Sequence, residues 1–282
     1  MENMRGENSI DILRNGVDYK WAILNFDGEK YKQASKHQKE WGNKLISALN
    51  LIGNEIILDL GCGDGVLTRQ LSALVPRGKV IGIDASTGML ETAMAPAQYN
   101  LTFICMDIDN IDFINTFDII FSNAALHWVK NHKKLMRNSL AALKPNGSIQ
   151  WNFAGDGTGE SFNSTVTAIM NQNEYKGYFT NFEWPWYMPS KDEYEEILGN
   201  AGFSKVQLTF ENADRYFANG DEMIRWIDQP SIVPFIQYVP DGKKESFRNA
   251  VIDMMIERTR ETDGRCLETF RRINVKAIKP HH

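Results

Sequence analysis

The stretch Ile56-Ile57-Leu58-Asp59-Leu60-Gly61-Cys62-Gly63-Asp64-Gly65 places an apolar run, an acid and three alternate glycines end to end. The apolar run reads as a buried strand. Glycines directly after it read as a tight turn into a helix N-terminus, where backbone N–H groups can come close to a small ligand. The spacing is G-x-G-x-G with the acid two residues ahead, not the G-x-G-x-x-G of a dinucleotide site. No lysine follows the glycines, as a P-loop would need. Taken alone, the segment also fits a turn whose glycines merely let a helix pack closely on a strand.

The neighbouring segments repeat the pattern. Lys79 to Ile83 is a second short apolar run and ends in Asp84, about twenty residues past the glycines, where an α/β nucleoside site puts a carboxylate to accept both ribose hydroxyls. Leu101 to Met106 is a third and ends in Asp107, followed by Ile108. At the carboxyl edge of a parallel sheet that acid is placed to accept from a purine amine. Phe117 to Asn123 is a fourth, and it delivers Asn123, Ala124, Ala125, Leu126, His127 and Trp128 to the same edge. Singly, each acid reads as a cap or turn residue. Together they describe one crevice.

The segments Asp59 to Gly65, Gly82-Ile83-Asp84-Ala85-Ser86, Met106-Asp107-Ile108 and Ser122 to Trp128 resemble the ordered motifs of class I S-adenosylmethionine-dependent methyltransferases. The resemblance spans roughly residues 55–152. Within that superfamily, Asn-Ala-x-Leu-x-Trp is similar to the trans-aconitate methyltransferase group. Juvenile hormone acid and malonyl-carrier-protein methyltransferases, which also act on carboxyl groups, look related. The resemblance implies S-adenosyl-L-methionine as cofactor, with Gly61, Cys62 and Gly63 facing its methionine portion and Asp59 supporting the loop. It further implies Asp84 at the ribose, Asp107 and Ile108 at the adenine and the Asn123 carbonyl at the amino acid ammonium, with Ala85, Met89 and Ala124 also among the cofactor-binding residues. Where the trans-aconitate enzymes often carry glutamine this chain has His127, which leaves the substrate open.

Outward from that core, Ser35 to Leu51 has helical spacing through Trp41, Leu45, Ile46 and Leu49. In the similar methyltransferases such a helix folds over the cofactor, so Tyr31 and Gln38 are candidate contacts. A solvated first turn is the other reading. Helices are expected over Asp64 to Ala73, Ser86 to Ala95 and His132 to Leu143, and a strand over Ser148 to Phe153, the rhythm of a parallel sheet. Residues 154–189, with Gly155, Gly157, Gly159 and the cluster Phe182, Trp184, Trp186 and Tyr187, read as a lid. A helix from Ser190 to Asn200, a strand from Val206 to Phe210, helical segments over Ala218 to Tyr238 and Asp241 to Thr262, and a strand near Ile273 to Ile278 complete the chain. The expected fold is α/β: a seven-stranded, doubly wound, mostly parallel Rossmann-like sheet, its last two strands an antiparallel hairpin, under an α-helical cap. The expected domains are an N-terminal helical segment (1–50), a cofactor-binding core (51–153), the lid (154–189) and the rest of the sheet with the cap (190–282, cap about 218–262).

The 282 residues, 43% hydrophobic, suffice for one large domain with an inserted lid. With 31 basic and 36 acidic side chains the net charge is −5, so no nucleic-acid partner is expected. Cys62, Cys105 and Cys266 match no zinc spacing or disulfide framework; no metal is expected, and a reducing cytoplasmic setting fits. No run approaches a membrane span. The expected partner is a small-molecule substrate, and a monomer is expected.

A carboxylate is already an anion at neutral pH and needs to be held, not deprotonated. His127 is therefore expected either to donate to an acid or to act as base toward a hydroxyl or amine, with Trp128 as a wall near the methyl group; packing under the lid is the alternative for both. Arg225, Arg265 and Arg271 are the cap-region arginines considered as carboxylate clamps. The expected activity is O-methylation of a small organic acid. Methyl transfer to a nitrogen, carbon or hydroxyl acceptor or to an acyl-carrier thioester, and a non-catalytic cofactor-binding scaffold, are the alternatives.

Overall fold

The computed structural model describes residues 36–94 and 98–281. Its main sheet has seven strands, β1 (Ile56–Leu60), β2 (Lys79–Asp84), β3 (Leu101–Cys105), β4 (Phe117–Asn123), β5 (Leu143–Ala154), β6 (Ser204–Asn212) and β9 (Arg271–Ile278). They run in the order β3-β2-β1-β4-β5-β9-β6. The first five pair in parallel, and β9 pairs antiparallel with both β5 and β6. The five-residue β1 is apolar but for Asp59 because a central parallel strand is covered on both faces. Ile57 packs with Val80, Ile119 and Phe121 below one face, whereas Leu58 and Leu60 pack with Ile120, Trp151 and Tyr194 on the other.

Among the described residues nine α-helices flank or cap this sheet: α1 (Lys36–Ser47), α2 (Val66–Leu74), α3 (Thr87–Ala93), α4 (His132–Ala142), α5 (Glu160–Met170), α6 (Lys191–Gly199), α7 (Gly220–Trp226), α8 (Val233–Ile236) and α9 (Asp241–Thr259). Ser86 caps α3 by accepting from the Met89 N–H at 3.4 Å, and Ser190 caps α6 by accepting from Glu193 at 3.3 Å, as their sequence positions suggest.

The structure corrects three details of the sequence reading. The last two main-sheet strands are antiparallel neighbours but not a hairpin: residues 213–270 intervene, and β9 lies inside the sheet with β6 at its edge. The expected helix over 218–238 is broken at 227–231, where Gln229 leaves helical geometry (φ −153°, ψ 109°) between α7 and the Pro234-containing α8. A small second sheet pairs β7 (Arg215–Phe217) with β8 (Cys266–Glu268), which no periodicity announces. Residues 154–189 also contain α5, whose Phe162, Val166 and Ile169 enter the same apolar cluster as Trp226, Phe235 and Phe247. The insertion and the cap thus share one core above the carboxyl edge of the sheet.

Candidate active site

The loop after β1 owes its shape to Gly61, Gly63 and Gly65, all at positive φ (71°, 54° and 71°), a region that costs residues with a Cβ. The Gly61 and Cys62 N–H groups both donate to the Ile83 carbonyl at 2.9 Å, tying the loop to β2. The Gly63 N–H donates to Asp84 Oδ2 at 2.9 Å, and the Ser86 N–H donates to Oδ1 at 2.8 Å. Each carboxylate oxygen of Asp84 is thereby fixed by a backbone donor and keeps a lone pair for a ligand. Burial pushes its pKa up, against those two hydrogen bonds. Asp59 lies behind the loop, 2% exposed, accepting from the Thr68 hydroxyl at 2.7 Å. Burial raises its pKa to about 7, opposed by the Thr68 bond and assisted by nearby Asp84.

At the tip of β3, Asp107 caps the short turn Ile108–Asn110 by accepting from the Asp109 N–H at 2.8 Å. At the tip of β4, the Asn123 side-chain amide donates to the Gln38 carbonyl at 2.8 Å, tying α1 to the sheet edge. Three buried acceptors here have no hydrogen-bond partner among the described residues: Gln38 Oε1, Asn123 Oδ1 and Asp109 Oδ1. Unpaired buried acceptors cost about 1–3 kcal/mol each, so a cluster of them in a cleft marks a place for donors. The next residue, Ala124, sits at φ 56° with its N–H donating to the Asn152 carbonyl at 2.7 Å, backbone strain of the kind that gathers at binding sites.

These groups open into one cleft of about 1450 Å³, mouth included. Of the residues singled out from sequence, Gln38, Gly61, Gly63, Asp84, Ala85, Met89, Asp107, Ile108, Asn123, Ala124, His127 and Trp128 all line it. Asp59 and Cys62 do not; both are buried beneath the loop. Tyr31 lies outside the described residues. The acidic edge forms one end, and the insertion and cap contribute the other through Thr158, Phe162, Trp186 and Trp226, joined by Phe270 just ahead of β9. Trp184 and Tyr187 lie away from the cleft. Trp184 packs on Trp186 and Phe235, and Tyr187 stacks against His132 while its hydroxyl donates to Glu193.

His127 faces the cleft, with its carbonyl accepting from the Tyr187 N–H at 2.8 Å. Burial, then the nearby Arg272 guanidinium, then His132, lower its pKa to about 3. The residue is half-buried and lines the cleft. The lowered pKa favours the uncharged imidazole at neutral pH, a weak base and a poor cationic anchor. Its Nδ1 has no partner among the described residues. His132 is a different kind of histidine: buried, with Nε2 against the Leu126 carbonyl at 3.0 Å and Nδ1 against the Tyr194 hydroxyl at 2.9 Å, it braces the core.

None of the three cap-region arginines considered from sequence reaches the cleft. Arg225 is exposed, Arg265 pairs with Asp263 and stacks over Tyr216, and Arg271 pairs with Asp214. The arginine that does line it is Arg272, which the sequence reading passed over; adjacent strand residues face opposite sides. Arg272 is 2% exposed, with Nε and Nη2 donating to Asn152 Oδ1 at 2.9 and 2.5 Å and its guanidinium 4.3 Å from the Trp41 ring centroid. Among the described residues, no cluster of His, Cys, Asp or Glu could hold a metal ion, and no helix is long and apolar enough to cross a membrane.

Comparison with known proteins agrees with this geometry. A methyltransferase domain family matches residues 57–147, the segment from β1 into β5. A trans-aconitate 2-methyltransferase of Deinococcus radiodurans is 30% identical over 64% of this chain and 70% of its own. An uncharacterised methyltransferase of Schizosaccharomyces pombe is 27% identical over 90% of this chain and 98% of its own. Among solved structures, phosphoethanolamine N-methyltransferase 2 of Haemonchus contortus, in complex with S-adenosyl-L-methionine, superposes with a TM-score of 0.57 at 20% identity, covering 90% of this chain and 56% of the other. At that identity the likeness speaks for the fold. With the glycine loop, the three acidic strand tips and the seven-stranded sheet, these matches show that the chain belongs to the class I S-adenosylmethionine-dependent methyltransferases.

Proposed function

We propose that the protein methylates a carboxylate oxygen of an organic acid, with S-adenosylmethionine lying along the acidic edge of the cleft. The residues present fit that cofactor. Asp84 retains a lone pair on each oxygen for the ribose diol, and Gln38 Oε1 and Asn123 Oδ1 are acceptors suited to an ammonium. Asp107, Asp109 and Ile108 suit the adenine end, and Gly61 and Gly63 leave the backbone open to close approach. S-adenosylmethionine supplies a methyl group on a sulfonium: a new O–C bond forms as the S–C electron pair leaves with sulfur, and with a carboxylate acceptor no proton moves.

The observation that carries the carboxylate reading is the setting of His127, a half-buried residue of the cleft wall near the Arg272 guanidinium, with no partner on Nδ1 among the described residues. Burial and that guanidinium lower its pKa to about 3, which matches it poorly to deprotonating an amine or hydroxyl. An acceptor already ionised at pH 7 needs no such base. The chain's work is then alignment and exclusion of water, which the aromatic wall of Trp128, Trp186 and Phe162 suits. The similarity to a trans-aconitate 2-methyltransferase supports the same class of acceptor. Incubation with methyl-labelled S-adenosylmethionine and a panel of carboxylic acids, acyl-carrier thioesters, alcohols and amines tests the reading. Label in a base-labile ester is expected. Label in a base-stable amine or ether, with none in ester, refutes it.

A further inference from the structure

We propose that Glu268 is a positioning residue for the acceptor wall, holding the start of α5 where it lines the aromatic end of the cleft; the proposal rests on the reading above, in which the acceptor lies at that end. A helix leaves its first N–H groups without partners inside itself, and an N-cap side chain normally accepts from one of them. The N-cap of α5 is Gly159, at φ 67°, which has no side chain to offer. The acceptors come instead from 106 to 109 residues away in sequence: Glu268 Oε1 accepts from the Ser161 N–H at 3.2 Å, Glu268 Oε2 from the Phe162 N–H at 2.9 Å, and Thr269 Oγ1 from the Glu160 N–H at 3.1 Å. The Thr269 carbonyl accepts from the Gly159 N–H at 2.8 Å. Every N–H from Gly159 to Phe162 is thus satisfied from outside the helix. Just ahead of them, the Thr269 hydroxyl donates to the Gly157 carbonyl at 2.9 Å, while Thr158 Oγ1 donates to the Arg271 carbonyl at 2.7 Å and accepts from the Arg271 N–H at 3.0 Å.

Glu268 ends β8, opposite Arg215 of β7, and is fully buried. A carboxylate in the interior is tolerated when strong donors meet it, and the Thr269 N–H adds a third to the two of α5, at 2.8 Å. Burial pushes its pKa up, opposed by those backbone bonds. Its negative charge also stands at the positive end of the α5 dipole. Enclosed on all sides, Glu268 does not line the cleft, whereas Thr158, Gly159, Phe162 and Asn163, on the segment that it and Thr269 hold, all do. Phe162 in turn meets Trp226, Phe235 and Trp186 at 5.8, 5.9 and 6.3 Å between ring centroids. A packed interior transmits displacement, so a shift at the start of α5 moves the wall against which the acceptor is aligned. The bonds that fix Asp84, Asp107 and Asn123 at the cofactor end involve other residues.

The test compares Glu268→Gln with the native chain. Glutamine keeps the shape but turns one oxygen into an NH2 donor, which would face the Ser161 or the Phe162 N–H. With fluorotryptophan incorporated and each fluorine NMR signal assigned by a Trp→Phe substitution, the signals of Trp186 and Trp226 should shift, while that of Trp151, inside the sheet core, keeps its position. S-adenosylmethionine affinity by calorimetry should change by less than about twofold. For the acid of the panel above that yields ester fastest, kcat/KM should fall by about tenfold to a hundredfold, the penalty of a misaligned reactant. Glu268→Asp, which keeps the charge on a shorter stem, should recover part of that loss. If Glu268→Gln does not fold, Thr269→Val, at a half-buried position, removes two of the same bonds and should give the same pattern at smaller size. Equal shifts at all three tryptophans, or cofactor affinity falling together with kcat/KM, would mean that Glu268 serves stability alone and would overturn the proposal. So would unchanged signals at Trp186 and Trp226, or an unchanged kcat/KM. Failure of every acid to yield an ester overturns the carboxyl reading instead, and the fluorine and calorimetric readings, which need no acceptor, then decide the place of Glu268.

Discussion

Gly61→Ala separates two costs that the glycine loop combines. At φ 71° an alanine carries the left-handed penalty, about 1–2 kcal/mol. Its methyl would also stand 2.2 Å from Ala125 Cβ, far inside contact distance, and overpacking of that kind costs about 1–3 kcal/mol. The expected loss of stability is their sum, ~2–5 kcal/mol. Gly63→Ala pays the first cost at φ 54° but little of the second, since its methyl meets only the flexible Met89 Cε at 3.2 Å, so ~1–2 kcal/mol is expected. The second site offers a suppressor. Removing the Ala125 methyl leaves Ala125 Cα and Ile108 Cδ1 as the nearest atoms to the new Cβ, both at an ordinary 3.7 Å. Ala125→Gly costs about 0.5–1 kcal/mol alone, yet combined with Gly61→Ala it should return the overpacking share, a coupling of ~1–3 kcal/mol in a double-mutant cycle. Urea unfolding of the four proteins, with m-values compared, measures each corner. Strict additivity of the two substitutions, or equal losses for Gly61→Ala and Gly63→Ala, would refute the reasoning that strand-tip contact with Ala125 is what excludes a side chain at residue 61.

Asp84→Ala removes the acceptor for the Gly63 and Ser86 N–H groups and the proposed ribose partner; S-adenosylmethionine binding by calorimetry should weaken by about 2–4 kcal/mol, and unchanged binding would remove the assignment. Thr68→Val, at a fully buried position, leaves the Asp59 carboxyl without its donor and should cost about 1–3 kcal/mol in denaturant unfolding; a loss under roughly 0.5 kcal/mol would show that the bond matters little. Acid unfolding carries opposed contributions: His132 and His127, lowered to about 4 and about 3, give stability that is complete above about pH 6.5 and drains as pH falls toward those values, while Asp59, raised to about 7, gives stability that is lost as pH rises through 7 and so grows on acidification. Asp59→Asn should therefore steepen the stability loss between pH 6.5 and 4 by up to about 1.4 kcal/mol per pH unit; an unchanged slope would mean that Asp59 is ionised throughout.

The two ends of the cleft differ in how far apart in sequence their parts lie, and that decides what could be read from the chain. The cofactor end is assembled from neighbours: Gly63 meets Asp84 across 21 residues, and each acid stands directly behind the apolar run that carries it. Parallel pairing then aligns the tips, with Asp59 beside Gly82 and Asp84 beside Cys105, so strand periodicity and glycine spacing predict the site nearly residue by residue. The aromatic end has no such short range. Arg272 reaches Asn152 across 120 residues, and its direction depends on the register of β9 between β5 and β6. A shift of one residue would have sent Arg271 inward and Arg272 toward Asp214's side, and nothing within residues 271–278 chooses between them. The state of His127 inherits that uncertainty, because Arg272 and His132 join burial in lowering its pKa, and from sequence it was equally a base, an anchor or packing. The β7–β8 ribbon is invisible for the same reason, its two three-residue strands meeting across the whole cap. The crevice thus sits in a contiguous stretch that apolar runs and glycine spacing expose, and the resemblance to known methyltransferases supplies its chemistry. The far end of the cleft sits in a register between distant strands, where one side chain's phase sets whether a guanidinium lines it.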